Sequence, residues 1–366
     1  MKTKAVYFYQ YLPPWRIDVF NEIGKYYDLT IVFFNSECEG FTYDRKLLLS
    51  KLKNVNVVFL NNGFNIGSRP IRFGIFKELR KYRPEVVFVH EYSVISILLA
   101  LYRQLKLCEY KLYVTTSDNV EMAETSAGLK LKARDYVLGH ADGVILYSEA
   151  VKDWYKKRYP NLKFDICPNI QNPDTLLKYR PEFTDIIKGY KNKFSIENNQ
   201  IILYTGRLTE VKGIDLLLTA FSKVDVGNYK LVIVGEGKER PSLEEQAKKI
   251  GISENVVFAG FYSGIELYAW YELANFFILP SRYEPFGAVI NEALIYGCPV
   301  VASKYIGALD FIDETNGIIF NPLNEDEFIM TLKEAMARYN ARSSNRDNLM
   351  IRSFSDAVKS FCRINM

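Results

Sequence analysis

The chain has 366 residues, 48% apolar and 25% charged, without a low-complexity tract; this excludes a small stapled scaffold and a disordered chain, and leaves length for two cores. The net charge of +4 is uneven: residues 1–170 hold 25 basic and 18 acidic side chains, or +7, and residues 171–366 hold 22 and 25, or −3. That excess is too diffuse for a nucleic-acid-binding face, and it suits an anionic membrane or a phosphorylated substrate.

Short runs rich in Val, Ile, Phe and Tyr predict strands at 5–10, 29–34, 55–60, 85–90, 111–116 and 143–148, with helical stretches between them. Runs apolar on both faces and separated by helices are the signature of a parallel sheet. The rhythm restarts at 201–206, 230–237, 255–261, 276–281, 300–303 and 317–320. The expected fold class is therefore α/β, with two doubly wound Rossmann-like domains. The first spans 1–170. A linker and lead-in rich in Pro, Asn and Lys covers 171–199, the second domain covers 200–345, and a helical tail at 346–366 returns to the first. Ligands of such sheets bind beyond the carboxyl ends of the strands, so two of them face to face would place the active site in a cleft.

The N-terminal run is too short and polar for a signal peptide, and no stretch nears the ~18 apolar residues of a membrane span. The five cysteines, Cys38, Cys108, Cys167, Cys298 and Cys362, are odd in number and scattered, and the two histidines do not cluster. Neither a disulfide framework nor a metal site is expected, and a cytoplasmic setting follows.

The most informative segment is ILPSRYEPFGAVINEALIYGCPVVAS, 278–303. A strand ends at Pro280-Ser281, a loop carries Glu284, and Gly287 opens a helix with Glu292 just over one turn in. The first amides of that helix, at Phe286, Gly287 and Ala288, suit a diphosphate, with the two carboxylates placed for hydroxyl groups. The plainer alternative is a surface loop whose Glu caps a helix. In YTGRLTEVKGIDLLLTAF, 204–221, Gly206 and Arg207 follow a strand and Lys212-Gly213 precede a helix. Two cations on one strand-to-helix loop suit two phosphates, although solvated loop charges are the commoner fate of such residues.

The E-P-F-G-x-x-x-x-E arrangement of Glu284 and Glu292, with the G-R-L-x-x-x-K-G arrangement of Gly206, Arg207, Lys212 and Gly213, resembles the retaining family-4 glycosyltransferases of two-domain GT-B architecture. The likeness runs from about Ile201 to about Asn321; the first domain is similar only in layout. It implies that Arg207 and Lys212 hold the diphosphate of a nucleotide-sugar and neutralise the leaving group. It further implies that Glu292 takes the ribose, that Glu284 and the amides of Phe286, Gly287 and Ala288 hold sugar and phosphate, and that Gly260-Phe261 borders the base. No metal or other cofactor is implied, and the anomeric configuration is retained. The family's glycine-rich loop after the first strand is replaced here by Tyr11-Leu12-Pro13-Pro14-Trp15-Arg16, its common first-domain histidine is missing, and Asp310 stands where it often has Glu.

In the first domain, Asp118 follows a strand and is a candidate for acceptor binding or for stabilising positive charge at the sugar; the alternative is a helix cap. His90 ends a strand and is an acceptor-binding candidate, whereas His140 reads as helix-end structure. Residues 69–83, RPIRFGIFKELRKYR, carry six basic side chains and one Glu. Read as a helix, they place Ile71, Ile75, Leu79 and Tyr82 on a core stripe and Phe73 and Phe76 among cations, as interfacial helices do on anionic lipid; the alternative is a solvated basic face with Phe73 or Phe76 tucked under a neighbour. VKDWYKKRYPNLK, 151–163, has a similar character.

The expected function is transfer of a sugar from a nucleoside diphosphate donor, UDP favoured over GDP, to a saccharide acceptor, lipid-linked and used in surface-glycan assembly, at the inner face of the cell membrane. The alternatives are a soluble enzyme acting on a free sugar or glucan, and a nucleotide-sugar-binding protein without turnover. A dehydrogenase is disfavoured, since no G-x-G-x-x-G follows the first strand.

Overall fold

The structure is a computed structural model describing residues 2–35, 44–66, 69–341, 346–362 and 364, so Cys38 lies outside the described residues. Two units emerge, Met1–Asn172 with Ser353–Met366, and Pro173–Arg352.

Unit 1 contains β1 (Thr3–Tyr9), β2 (Tyr27–Phe33), β3 (Val55–Phe59), β4 (Gly63–Ile66), β5 (Arg69–Arg72), β6 (Val86–His90), β7 (Lys111–Thr115), β8 (Gly143–Leu146) and β9 (Lys163–Ile166). Seven of them form a parallel sheet in the order β3-β2-β1-β6-β7-β8-β9, and β4 and β5 form a separate antiparallel hairpin. The central strands are buried on both faces: Val6, Phe8, Val87, Val89, Leu112 and Val114 share one core with Leu79, Ile95 and Leu99. Removing each such side chain from water contributes about 1.5–3 kcal/mol, which is why these strands read as unbroken apolar runs. The helix Phe354–Cys362 packs in this unit, where the Tyr27 hydroxyl donates to the Phe361 carbonyl (2.6 Å) and the Phe361 ring meets Phe88 edge-on.

Unit 2 contains β10 (Gln200–Thr205), β11 (Tyr229–Val234), β12 (Val256–Gly260), β13 (Phe276–Leu279), β14 (Val300–Ser303) and β15 (Gly317–Phe320), all parallel in the order β12-β11-β10-β13-β14-β15. The stretch read as linker is structured: its helix Phe183–Phe194 places Tyr190 flat on Trp270 (centroids 4.3 Å apart), with the Tyr190 hydroxyl donating to the Glu266 carbonyl (2.9 Å).

The basic segment 69–83 is not one helix. Residues 69–72 are β5, paired with β4, and the helix runs only over Ile75–Tyr82, opened by Gly74. Ile75 and Leu79 are buried as the wheel requires, but Phe76 stacks on Tyr102 (4.5 Å), and Ile71 belongs to the hairpin. Arg72 is a fastener: its guanidinium donates to the Phe34 carbonyl (2.6 Å) and to the side-chain oxygens of Asn35 and Asn65 (2.9 Å each). In 151–163, Arg158 pairs with Asp135 (3.1 Å) and Tyr155 is fully buried.

Candidate functional site

In unit 2 the strand order reverses direction between β10 and β13, and at such a switch point the following loops part to opposite faces and leave a crevice. After β10 the chain passes Gly206 and Arg207, makes a turn over Glu210–Lys212, and begins the helix Ile214–Phe221 at Gly213. Gly213 has φ +67°, and a Cβ there would stand 2.2 Å from the Pro280 carbonyl, so this contact between the two loops requires glycine. After β13 the loop ends at Gly287, φ +93°, which opens the helix Ala288–Ile295 with no side-chain cap. The orphan amides and positive dipole of that end, at Gly287 and Ala288, suit an anion. Phe286 is buried beside them, edge-on to Phe311.

A clamp that sequence reasoning missed locks these loops together. The Arg282 guanidinium donates two parallel 2.6 Å bonds to the Asp215 carboxylate and a third (2.8 Å) to the Glu210 carbonyl, while its backbone N–H donates to the Val211 carbonyl (2.8 Å). Burial works against the charge on Asp215, but the Arg282 bonds outweigh it and hold the carboxyl below its usual range. The pairing joins residues 67 positions apart, which no local pattern reveals.

Inside the clamp, the Lys212 ammonium pairs with the Glu284 carboxylate, with 12% and 16% of their side chains exposed. The predicted phosphate cation and the predicted sugar-binding carboxylate are thus brought into contact. The Glu284 backbone is pinned as well, its N–H donating to the Tyr305 carbonyl and its carbonyl accepting from the Gly307 N–H (3.1 Å each). Arg207 is exposed and makes no ion pair among the described residues; its carbonyl accepts from the buried Tyr204 hydroxyl (3.1 Å). Glu292 accepts from the Tyr271 hydroxyl (3.1 Å), which also meets the Thr205 hydroxyl (2.8 Å), a second relay the sequence did not announce. Burial and then the Glu292 charge raise the Tyr271 phenol well above its ordinary value, so it stays a donor. Gly260 ends β12, with its carbonyl accepting from the Gly235 N–H (2.8 Å), and Phe261 beyond it is 72% exposed.

Unit 1 reverses between β1 and β6, and there His90 ends β6. Its ring lies on Tyr9 (4.2 Å, 10° between planes), and its Nδ1 meets the Thr115 hydroxyl (3.0 Å). Burial, aided by the nearby Arg16 charge, lowers its pKa to about 3, so His90 is neutral. The next residue, Glu91, sits at φ +64°, a left-handed position uncommon outside glycine. Its carboxylate accepts from the Ser117 N–H (2.8 Å) and from the Ser117 (2.6 Å) and Thr116 (3.1 Å) hydroxyls. Asp118 lies inside the unit, 1% exposed, accepting from the Tyr155 hydroxyl (2.6 Å) beside buried Arg134 (3.5 Å). Burial and then the Glu91 charge raise its pKa. The helix it precedes is capped by Asn119 instead, whose side chain accepts from the Met122 N–H (2.8 Å). His140 meets the Tyr136 carbonyl at a helix end.

Among the described residues no three His, Cys, Asp or Glu side chains gather in a form that would hold a metal ion, and no helix is long and apolar enough to cross a membrane.

Residues 187–349 match the family described as glycosyl transferases group 1. An uncharacterized glycosyltransferase of Methanocaldococcus jannaschii is 34% identical over 196 residues, half of each chain. A lipopolysaccharide 1,2-N-acetylglucosaminetransferase of Salmonella typhimurium is 30% identical over 53% of each. These matches thus span about half the length of the two curated relatives. The structure of Anabaena HepE in complex with UDP aligns with a TM-score of 0.72 and 18% identity, over 98% of this chain and 96% of that one.

Proposed function

We propose that this chain, whose residues 187–349 match the glycosyl transferases group 1 family and whose two Rossmann-like units have the GT-B fold, transfers a sugar from a UDP-sugar to a lipid-linked saccharide, with retention of configuration and without a metal ion. The observation that carries this reading is the pair of clamped loops at the β10–β13 switch point, with Arg207, Lys212 and the uncapped helix end at Gly287. In this reading the diphosphate lies on the Ala288 and Gly287 amides, with Arg207 as a fork and Lys212 as a point charge. Arrival of the phosphates draws Lys212 away from Glu284 and frees that carboxylate for the hydroxyls of the transferred sugar. Charge grows on the leaving phosphate as the glycosidic bond breaks, so cations fixed beforehand lower the barrier. Glu292 takes the ribose hydroxyls, oriented by Tyr271, and Gly260-Phe261 flank the base. UDP as donor and surface glycan as product are supported by HepE, solved with UDP, and by the lipopolysaccharide enzyme.

The acceptor side falls to unit 1, with His90 as a neutral hydrogen-bonding group and Asp118 holding Tyr155 and Arg134 in place behind it. Contact with an anionic inner membrane surface rests on exposed Arg80, Lys81 and Arg83 with Phe73. A thermal-shift comparison of UDP, GDP and their sugar conjugates tests the donor, because a ligand at 100 times its Kd stabilises by about 2.7 kcal/mol. A clear rise with UDP and its sugars is expected; no shift with any of them would overturn the reading.

A further inference from the structure

Unit 1 contains a cavity of about 630 Å³ at the carboxyl end of β6, a size that encloses most of a small ligand. The strand-end side carries His90 and Glu91, and much of the remaining wall is apolar. Phe34 and Ile97 give an aliphatic and aromatic lining, and Leu129 stands at the rim 73% exposed. The charges on the wall are cationic in balance. The one carboxylate on the wall among the described residues, Glu91, is already met by three hydrogen bonds, and Asp118 lies buried behind Lys130. Lys132 makes no ion pair among the described residues, and Lys130, 3.8 Å from Asp118, keeps 45% of its side chain exposed. Both lysines lie in the first two turns of the helix Gly128–Leu138, whose N-terminus has no side-chain cap.

One further wall residue, Pro70, belongs to β5. The hairpin it forms with β4 carries Phe64 and Ile66, and Phe73 follows it; all three are more than half exposed, with Phe64 and Phe73 in edge contact. An exposed apolar surface of this kind beside the cavity would suit a hydrocarbon chain entering from a bilayer.

We propose that this cavity holds the hydrocarbon part of a phosphate-bearing amphiphile, with its phosphate on Lys130 and Lys132, so that the acceptor is a saccharide carried on a lipid phosphate. The inference rests on the glycosyltransferase reading and names the acceptor class for it. The hydrocarbon is gripped by burial, which is indifferent to charge, and the phosphate by two ammonium groups and a helix end, which are not.

Titration calorimetry of the full chain with farnesyl phosphate below its micellar concentration, farnesol, inorganic phosphate and UDP tests this. Farnesyl phosphate is expected to bind at least about tenfold more tightly than farnesol or inorganic phosphate. Lys130→Gln with Lys132→Gln removes that advantage and leaves farnesol binding unchanged. Ala133→Trp, which fills the cavity, abolishes binding of both while UDP still binds. Leu129→Glu, at a rim position 73% exposed where a substitution leaves the core untouched, weakens both. Farnesyl phosphate binding no tighter than inorganic phosphate, or surviving both cavity variants, overturns the proposal. Amphiphile binding with no UDP binding would instead overturn the donor reading and leave the cavity assigned.

Discussion

The two sheets reverse direction at the same point, next to their first strand, yet they finish the strands there with opposite chemistry. In unit 2 the loops after β10 and β13 turn on glycines, Gly213 and Gly287, where backbone approaches backbone and amides are bared. In unit 1 the turn after β1 contains Pro13-Pro14, and the residue after β6 is a left-handed Glu91 whose carboxylate accepts three hydrogen bonds, from Thr116 and Ser117. Backbone amides recognise what every nucleotide donor shares, the diphosphate; side chains recognise what differs between acceptors. A strained non-glycine residue at a strand end costs of order 1–3 kcal/mol and persists where the neighbouring structure enforces it. On the proposed reading, the contrast would divide the labour, with a generic grip in unit 2 and a specific one in unit 1.

If unit 2 grips charge that grows during the reaction, the largest effect should come from its exposed cation. Arg207→Ala is expected to lower kcat by ~100-fold or more, with a smaller change in KM, because the lost interaction is strongest in the transition state. Steady-state kinetics with a UDP-sugar donor checks this; a change confined to KM would place Arg207 in uniform binding. The next effect separates the two carboxylates. Glu292→Ala should weaken bare UDP by about 1–3 kcal/mol, since ribose hydroxyls and the Tyr271 donor both lose a partner. Glu284→Ala should spare UDP and impair the intact UDP-sugar. Calorimetry with both ligands reads the difference, and equal losses for the two variants would merge their roles.

How much of this was legible in the sequence follows the same division. All six strands of unit 2 stand where Ile201, Leu231, Val256, Phe276, Val300 and Gly317 announce them: the four inner strands, buried on both faces, are written as apolar runs, and the half-exposed edge strands β12 and β15 keep enough apolar residues to be read. Its loops were legible too, since glycine at a left-handed position is a local requirement. In unit 1 the sequence hid β9, whose Lys163 and Asp165 suit an edge strand, and the β4–β5 hairpin, whose β4 is exposed throughout. The helical wheel drawn across 69–83 failed for the same reason: a strand and a helix share one basic composition there. The Arg282–Asp215 clamp and the Thr205–Tyr271–Glu292 relay were invisible because they join distant residues through the fold.

The smallest expected effect tests whether the unit 1 site is as enclosed as its chemistry implies. Burial lowers the His90 pKa from its ordinary 6.5 to about 3 in the folded chain, so between these values the unfolded chain binds a proton that the native one does not. Stability then falls as pH drops below about 6.5, by at most about 1.4 kcal/mol per pH unit, until the folded value is reached. Asp118 acts in the opposite direction: its folded pKa is raised, so acid relieves the penalty of its buried charge. His90→Gln keeps a neutral hydrogen-bonding group near Thr115 and removes only the first contribution. Denaturant unfolding at pH 6.5, 5.5 and 4.5 should therefore show the wild type losing stability more steeply than the variant, by about 1 kcal/mol per unit. Parallel lines would mean that His90 takes up its proton in the native state, and that water reaches the end of β6 as freely as it reaches Arg207.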